Sequence, residues 1–274
     1  MFAGRGTRGP GGDPRPDPMK RIATAFVLIP LVSYVALWGP GWLFLAVTTA
    51  VALLCFHEYT GIVAGHGIER PGPAAYAAGA LVLLVPAGES LVVLLAMLFL
   101  VLALRATDVR RGLPAAAAAV LGMVYIFGTW RAGVALRMAN PYWLFFVLAL
   151  NWIGDTAAYY VGGAVGRHKL APALSPKKSW EGSAASLVAS LAFGYFYLKW
   201  LIPAISPTEG LLISAAANVA GQLGDLVESM MKRGAGIKDS GRLLPGHGGW
   251  LDRVDSTLFS MPTVYWLLTL SGRQ

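Results

Sequence analysis

The stretch 244-LPGHGGWLDRVDSTLFSMPTVYWLLTL-270 joins a polar cluster directly to a long apolar run. Its first half holds two aspartates, an arginine and a histidine beside three glycines, and its second half is long enough for most of a bilayer crossing, which needs about 20 residues. Charged residues rarely lie at the N-terminal end of so apolar a segment without a function. The stretch therefore predicts a membrane helix with a functional site at its beginning.

The composition of the whole chain indicates the same environment. Of its 274 residues 56% are hydrophobic and only 13% are charged, whereas soluble domains carry roughly 25% charged residues. So few charges could not cover the surface of a soluble protein of this length. The single cysteine, Cys55, excludes an internal disulfide, and no Cys/His spacing indicates structural zinc. We expect a polytopic membrane protein.

Nine apolar runs are long enough, or nearly so, to form spans, and short polar or Gly/Pro segments separate them. The predicted fold class is therefore all-α, a polytopic transmembrane helical bundle of about nine spans. We divide the chain into a disordered basic tail at 1–18, N-terminal transmembrane helices at 19–140 and a C-terminal transmembrane catalytic region at 141–274. The runs lie at about 21–38, 41–62, 73–87, 90–106, 115–136, 141–162, 182–202, 209–228 and 253–271.

The basic residues predict the orientation of these spans. With the N-terminus in the cytoplasm, all but four of the 22 lysines and arginines fall on the cytoplasmic side; the exceptions are Arg131, Arg137, Lys199 and Arg273. Such an asymmetry follows the positive-inside rule. We therefore attribute the net charge of +8 to the basic residues that orient the spans in the membrane, and we expect no nucleic-acid partner.

Several carboxylates lie inside or at the edge of these spans, where a charge costs about 2.5–3.5 kcal/mol unless it has a partner or a polar cavity. We favour an interfacial position near lipid headgroups for Glu58 and a helix-surface ion pair with Lys232, four residues on, for Glu228. Asp155 is open between two interpretations, a structural partner of a basic residue and a group in the same cavity as the other acids.

Asp225 and Asp252 are the strongest candidates for chemistry. Helical spacing places Asp225, Ser229 and Lys232 on one stripe. Asp252 and Asp255 begin the last span, where capping explains one acid but not both. Glycines before them let the backbone approach a ligand. One aspartate from each of two helices suits Mg²⁺, which takes one or two protein carboxylates and leaves other positions to water and phosphate.

Two basic loops flank these acids. The loop 232–247 holds Lys232, Arg233, Lys238 and Arg242, and the loop 166–183 holds Lys177 and Lys178 after Ser175-Pro176. Ser-Pro is also an ordinary beginning of a helix, with Ser as N-cap and Pro at the first position. Positive-inside charge explains part of this pattern. Together with the buried acids, the loops indicate a site for an anionic substrate at the membrane surface.

The stretch 229-SMMKRGAGIKDSGRLLPGHGGWLDRVD-255 resembles the signature of phosphatidate cytidylyltransferases, with the polar positions in register. The segments 175-SPKKSWEG-182 and 154-GDTAAYYVGGAVGRHKLAP-172 are similar to that family too. The resemblance covers the C-terminal half in its motifs and the N-terminal half by hydropathy alone.

The resemblance implies that CTP and phosphatidic acid react to give CDP-diacylglycerol and pyrophosphate, with Mg²⁺ as cofactor and potassium as a second cation. It implies an integral protein of the bacterial cytoplasmic (inner) membrane whose active site faces the cytoplasm; a homodimer and a monomer both stay open. Asp225 and Asp252 match the metal-binding aspartates. The matching catalytic positions are Asp225, Ser229, Lys232, Arg233, Lys238, Asp239, His247, Asp252, Arg253 and Asp255, and we expect Ser175, Lys177, Lys178, Glu181, Gly248, Gly249 and Asp155 to bind substrate.

Three other functions compete with this one. A related CTP-dependent prenyl-lipid transferase or polyprenol kinase would keep the metal and the nucleotide and change the lipid. An ion-coupled transporter also carries acids in its spans, but it predicts an inverted repeat, whereas nearly all polar residues here lie in the last four spans. A structural membrane scaffold leaves the acid pairs and the His-Gly-Gly segment unexplained.

Overall fold

The computed structural model describes residues 18–85, 89–106, 108–244 and 248–273. The tail expected at 1–18 lies outside the described residues except for Pro18. Nine helices occupy the described residues, and each coincides with one of the nine predicted apolar runs. They are α1 (Pro18–Leu37), α2 (Gly41–Gly65), α3 (Pro73–Leu84), α4 (Glu89–Ala103), α5 (Val109–Ala139), α6 (Pro141–Val165), α7 (Trp180–Leu201), α8 (Pro207–Gly234) and α9 (Leu251–Leu270).

Five of these helices are long and apolar enough to cross a membrane, namely α2, α5, α6, α7 and α8. Helices α3 and α4 are apolar but shorter, as is the stretch 26–37 of α1, and the last helix, α9, is not among the five. The helical membrane class is thus confirmed, whereas the count of nine spans is not. In α5, a π-helical segment, Met123–Gly128, interrupts the α-helix.

Local sequence explains where the helices of the C-terminal half begin. Asn140 and Ser206 cap α6 and α8 through their side chains, and each is followed by proline at the first helical position. Ser179 caps α7 by accepting a hydrogen bond from the amide of Gly182. The Ser175-Pro176 pair does not begin a helix, so that interpretation was wrong.

A short antiparallel hairpin precedes α7. The purely helical prediction missed this hairpin. Strands β1 (Lys169–Ala171) and β2 (Ser175–Ser179) pair with Lys169 opposite Ser179 and Ala171 opposite Ser175, with an irregularity between them. The hairpin contains Lys177 and Lys178 and packs against α6 and α7.

The last four helices pack closely because small and polar residues line their contacts. Gly224 of α8 lies so near α9 that a Cβ there would stand 2.6 Å from the carbonyl oxygen of Asp255. Asn218 of α8 donates 2.9 Å hydrogen bonds to the hydroxyls of Ser186 and Ser190 on α7. Buried polar contacts and small residues of this kind hold helices together where lipid supplies no hydrophobic drive.

Candidate active site

A cavity of about 320 Å³ opens between the N-terminal helices and the beginning of α9. Its lining divides by polarity. Apolar side chains from α1, α2, α5 and α6 form one part, and charged or hydroxyl side chains from α6 and α9 form the other. The polar part consists of Asp155, Asp252, Arg253, Asp255 and Thr257; the apolar part includes Leu28, Val32, Val47, Val51, Trp130, Leu148 and Trp152.

Asp252 lies in the first turn of α9 and is enclosed by hydrogen-bond donors. Its Oδ2 accepts from the amide of Gly249 at 2.8 Å and from the amide and hydroxyl of Ser240, each at 2.9 Å. Gly248 has φ of 79°, and a Cβ there would stand 2.7 Å from Asp252 Oδ2. Glycine is thus required at this position both for its backbone conformation and for space. Gly248 and Gly249 shape the loop around Asp252.

Lys232 connects Asp252 to a second buried acid. Its ammonium contacts Asp252 Oδ1 and lies 2.5 Å from Oε2 of Glu228, one turn before it on α8. The predicted pairing of Glu228 with Lys232 is confirmed, but its position on the helix surface was wrong, since Glu228 is 0% exposed. The other oxygen of Glu228, Oε1, is buried without a hydrogen-bond partner in the described structure.

Asp225 of α8 forms an ion pair with a lysine of the hairpin. Lys178 Nζ on β2 lies 2.5 Å from Asp225 Oδ2. Ser229, four residues on, contacts Asp225 Oδ1 at 3.4 Å, the long end of hydrogen-bond geometry. Asp225 and Asp252 therefore each contact a lysine, and the two lysines come from different segments.

Asp155 and Asp255 complete the acidic surroundings of Asp225. Both lie near enough to Asp225 to interact with it electrostatically, and Asp155 also interacts with Lys178 and Arg253. Asp155 also shares the cavity with Asp252 and Asp255, so its position agrees with both of its interpretations. Arg253 is exposed and lines the same polar part, so it presents a guanidinium to whatever occupies the cavity.

The remaining predicted residues lie around this centre. Glu181 accepts hydrogen bonds from the amide of His168 at 3.2 Å and contacts its Nδ1 at 2.7 Å, which joins α7 to the segment before the hairpin. Arg233 donates to the carbonyl oxygens of Leu174 and Ile237. The other members are Ser175 and Lys177 on β2, and Lys238 and Asp239, which are exposed in the loop after α8. His247 lies outside the described residues.

Glu58 belongs to this region, which its sequence interpretation missed. It is 4% exposed rather than interfacial, and its carboxylate accepts from the amides of Trp250 and Leu251. Its partners are more than 180 residues away in the chain, so no local pattern could have identified them. The only sequence signal was an acid within an apolar run.

The donor set fits a hard divalent cation. Among the described residues no group of three or more His, Cys, Asp or Glu is arranged to hold a metal, but Mg²⁺ takes only one or two carboxylates and completes its shell with water and phosphate oxygens. Asp155, Asp252 and Asp255 line a cavity that leaves room for such ligands, and Asp225 lies close enough to Asp155 and Asp255 to interact with them electrostatically.

Comparison with known proteins adds an independent observation. The model of the cytidylyltransferase family matches residues 19–271. A phosphatidate cytidylyltransferase of Bacillus subtilis (strain 168) is 43% identical over 154 residues, which are 55% of this chain and 57% of that protein.

Two further relatives carry the same name. The protein of Haemophilus influenzae is 42% identical over 146 residues, 50% of this chain and 51% of that protein. The protein of Staphylococcus aureus (strain COL) is 32% identical over 260 residues, 92% of this chain and all of that protein. The chain thus spans about half the length of the first two relatives and the full length of the third.

Proposed function

Because the chain belongs to the cytidylyltransferase family, we propose that it transfers the cytidylyl group of CTP to phosphatidic acid, giving CDP-diacylglycerol and pyrophosphate for phospholipid synthesis. The observation that carries this proposal is the cavity, whose apolar part runs continuously into a polar part containing three aspartates and an arginine. A reaction between a bilayer lipid and a water-soluble nucleotide requires one space that accepts both.

The apolar part suits the lipid. Apolar side chains of α1, α2, α5 and α6 line this part, so acyl chains could move into it from the bilayer without exposure to water. The lipid phosphate would then lie at the polar end beside Arg253, whose planar fork of N–H donors matches phosphate oxygens. Because Arg253 directly follows Asp252 in the chain, its guanidinium group stays close to this aspartate, which we propose below as a metal ligand.

The polar part suits the nucleotide. Two anionic reactants must approach each other, so their repulsion has to be neutralised. We propose that Asp225 and Asp252 hold Mg²⁺, with potassium as an additional cation. When bound, the metal neutralises charge on the phosphates of CTP and on departing pyrophosphate. Lys178 and Lys232, which contact these same carboxylates, lie where they can also attract phosphate oxygens.

The reaction needs no covalent intermediate with the protein. A phosphate oxygen of phosphatidic acid attacks the α-phosphorus of CTP and forms a new P–O bond, while the bond to the bridging oxygen of the β-phosphate breaks and pyrophosphate leaves. Positioning and electrostatic stabilisation are sufficient for such phosphoryl chemistry. The residues of the cavity supply both.

We further propose nine spans with a cytoplasmic N-terminus, so that the site faces the cytoplasm of a bacterial inner membrane. The positions of the nine helices and the concentration of lysine and arginine in the loops before α7 and α9 support this orientation. CTP is then available on the side where the proposed site opens.

The test is to incubate the purified protein with CTP labelled at its α-phosphate, phosphatidic acid and Mg²⁺, and to measure label extracted into organic solvent. We expect lipid-soluble label and an equal amount of pyrophosphate. One parallel reaction contains a prenyl phosphate and the same α-labelled CTP. Another contains a free polyprenol and CTP labelled at its γ-phosphate, because a kinase transfers the γ-phosphoryl group and leaves the α-phosphate in CDP. α-Label that stays in water with phosphatidic acid would overturn the proposal, and transfer of label to the prenyl phosphate or to the polyprenol would identify the related transferase or kinase instead.

A further inference from the structure

Glu58 of α2 contacts the beginning of α9 and the loop before it. Its carboxylate accepts from the amide of Trp250 at 3.0 Å and from the amide of Leu251 at 2.8 Å, and it lies 3.0 Å from the hydroxyl of Ser240, whose single hydrogen it shares with Asp252. The side chain is 4% exposed. A buried carboxylate is costly unless such donors surround it.

These contacts replace a helix cap that α9 lacks. The first amides of a helix have no acceptor within the helix and need another partner. Trp250 occupies the N-cap position, and no side-chain hydrogen bond comes from it. Glu58 supplies the acceptor from a different helix, and its negative charge meets the positive end of the α9 dipole. In the described residues Glu58 forms no ion pair, so these donors are what balances its charge.

The loop before α9 is built around this carboxylate. A Cβ on Gly249 would stand 2.6 Å from Glu58 Cδ, and a Cβ on Gly241 would stand 2.8 Å from the same atom. Neither distance is tolerable for a carbon against a carboxylate that two backbone amides hold in place. Two glycines thus leave the space that Glu58 occupies.

Ser240 couples Glu58 to Asp252. Its hydroxyl lies 3.0 Å from Glu58 Oε2 and 2.9 Å from Asp252 Oδ2, and its amide donates to Asp252. Glu58 also accepts from the amides of Trp250 and Leu251, the two residues immediately before Asp252. It therefore contacts the loop at both ends, at Ser240 and at Trp250–Leu251. The orientation of Asp252 therefore depends on a side chain from the N-terminal half.

We propose that Glu58 is a positioning residue: it caps α9 from α2 and thereby sets the orientation in which Asp252 meets its ligand. This inference rests on the proposed function of Asp252. It also assigns to α2 a role beyond forming the apolar part of the cavity, since a movement of α2 would be passed to Asp252.

The test uses the full-length protein with Glu58→Gln, and Glu69→Gln as the control. The control makes the same chemical change at an exposed position shortly after α2. Amide hydrogen exchange is measured over residues 248–256, together with kcat, both KM values and the Mg²⁺ dependence of label transfer. We expect faster exchange at 248–256 in Glu58→Gln, because its amide group cannot accept both N–H groups, and kcat reduced at least tenfold with a higher Mg²⁺ requirement.

A purely structural role predicts a different result, namely a lower yield or melting temperature with kcat per folded molecule and Mg²⁺ dependence unchanged; that result overturns the proposal. Unchanged exchange overturns it as well. Glu58→Asp keeps the charge on a shorter side chain and should retain part of the wild-type kcat. If Glu58→Gln does not fold, the same measurements are made on Glu58→Asp, and wild-type exchange, kcat and Mg²⁺ dependence in that variant would overturn the proposal. An inactive wild-type protein would instead contradict the proposed function, while the exchange measurement would still test the cap.

Discussion

Lys178 of the β-hairpin contacts Asp225 of α8, with Nζ and Oδ2 2.5 Å apart. This ion pair joins the loop between α6 and α7 to the helix that contains one of the two proposed metal ligands. It also places a cation where Asp155, Asp225 and Asp255 come close enough to repel one another. We therefore include the hairpin in the proposed site and do not regard it only as a connection between helices.

Lys178→Met should reduce kcat/KM at least tenfold, which corresponds to about 1.4 kcal/mol in the activation free energy. The substitution leaves three neighbouring carboxylates without this cation and removes a charge available to phosphate. The measurement is label transfer from CTP to phosphatidic acid. Lys169→Met on the paired strand is the control, since Lys169 is exposed; equal activities of the two variants would contradict this role for Lys178.

Lys232→Met should destabilise the protein by roughly 3–5 kcal/mol, as expected when one partner of a buried ion pair is removed. Glu228 and Asp252 would then face each other without the ammonium that contacts both. Unfolding in mixed micelles measures the loss. Adding Glu228→Gln to Lys232→Met should recover part of the stability, because one uncompensated charge is removed; a double variant no more stable than Lys232→Met would show that the charges are not coupled.

Gly224→Ala should lower both melting temperature and activity. The new Cβ would stand 2.6 Å from the Asp255 carbonyl oxygen, so α8 and α9 would separate at the proposed site. Gly163→Ala in α6 is the matched control, since a Cβ there meets nothing within 4 Å. Alanine is favoured over glycine in helices by about 1 kcal/mol, so the control should be neutral or slightly more stable. A thermal melt that ranks the two variants in the opposite order would refute this packing argument.

Val47→Trp should raise the KM for phosphatidic acid at least fivefold and leave the KM for CTP unchanged. Val47 lines the apolar part of the cavity, and a larger side chain would reduce the space for acyl chains. Steady-state kinetics with each substrate varied separately measures the two constants. Val93→Trp on the exposed face of α4 serves for comparison; a rise in the KM for CTP alone would place the nucleotide, not the lipid, in this part.

The helices could be predicted from the sequence because each requires only a local apolar run and local signals at its ends. Gly41, Pro73 and Pro141 begin helices at the predicted residues. The hairpin could not be predicted from the sequence, because its strands are short and polar and are stabilised by packing on α6 and α7. Ser175-Pro176 resembles a helix N-terminus, but Ser179 caps the helix four residues later.

The candidate site could be predicted only in part, for a related reason. Spacing along one helix identified the pairing of Glu228 with Lys232, and the cluster around Asp252 identified the loop before α9. The contacts of Lys178 with Asp225 and of Glu58 with Trp250 join segments far apart in the chain, and they depend on the packing of whole helices. Local patterns contain no information on such contacts.

To test whether Asp225 and Asp252 hold the catalytic Mg²⁺, label transfer from CTP to phosphatidic acid is compared between the wild-type protein and the variants Asp225→Asn and Asp252→Asn, each at a series of Mg²⁺ concentrations. Glu69→Gln and a thermal melt control for the loss of an exposed acid and for folding. We expect transfer by the wild-type protein and the control, and none by either asparagine variant in folded form. Normal turnover in either variant, at the wild-type Mg²⁺ requirement, would refute the assignment of Asp225 and Asp252 as metal ligands.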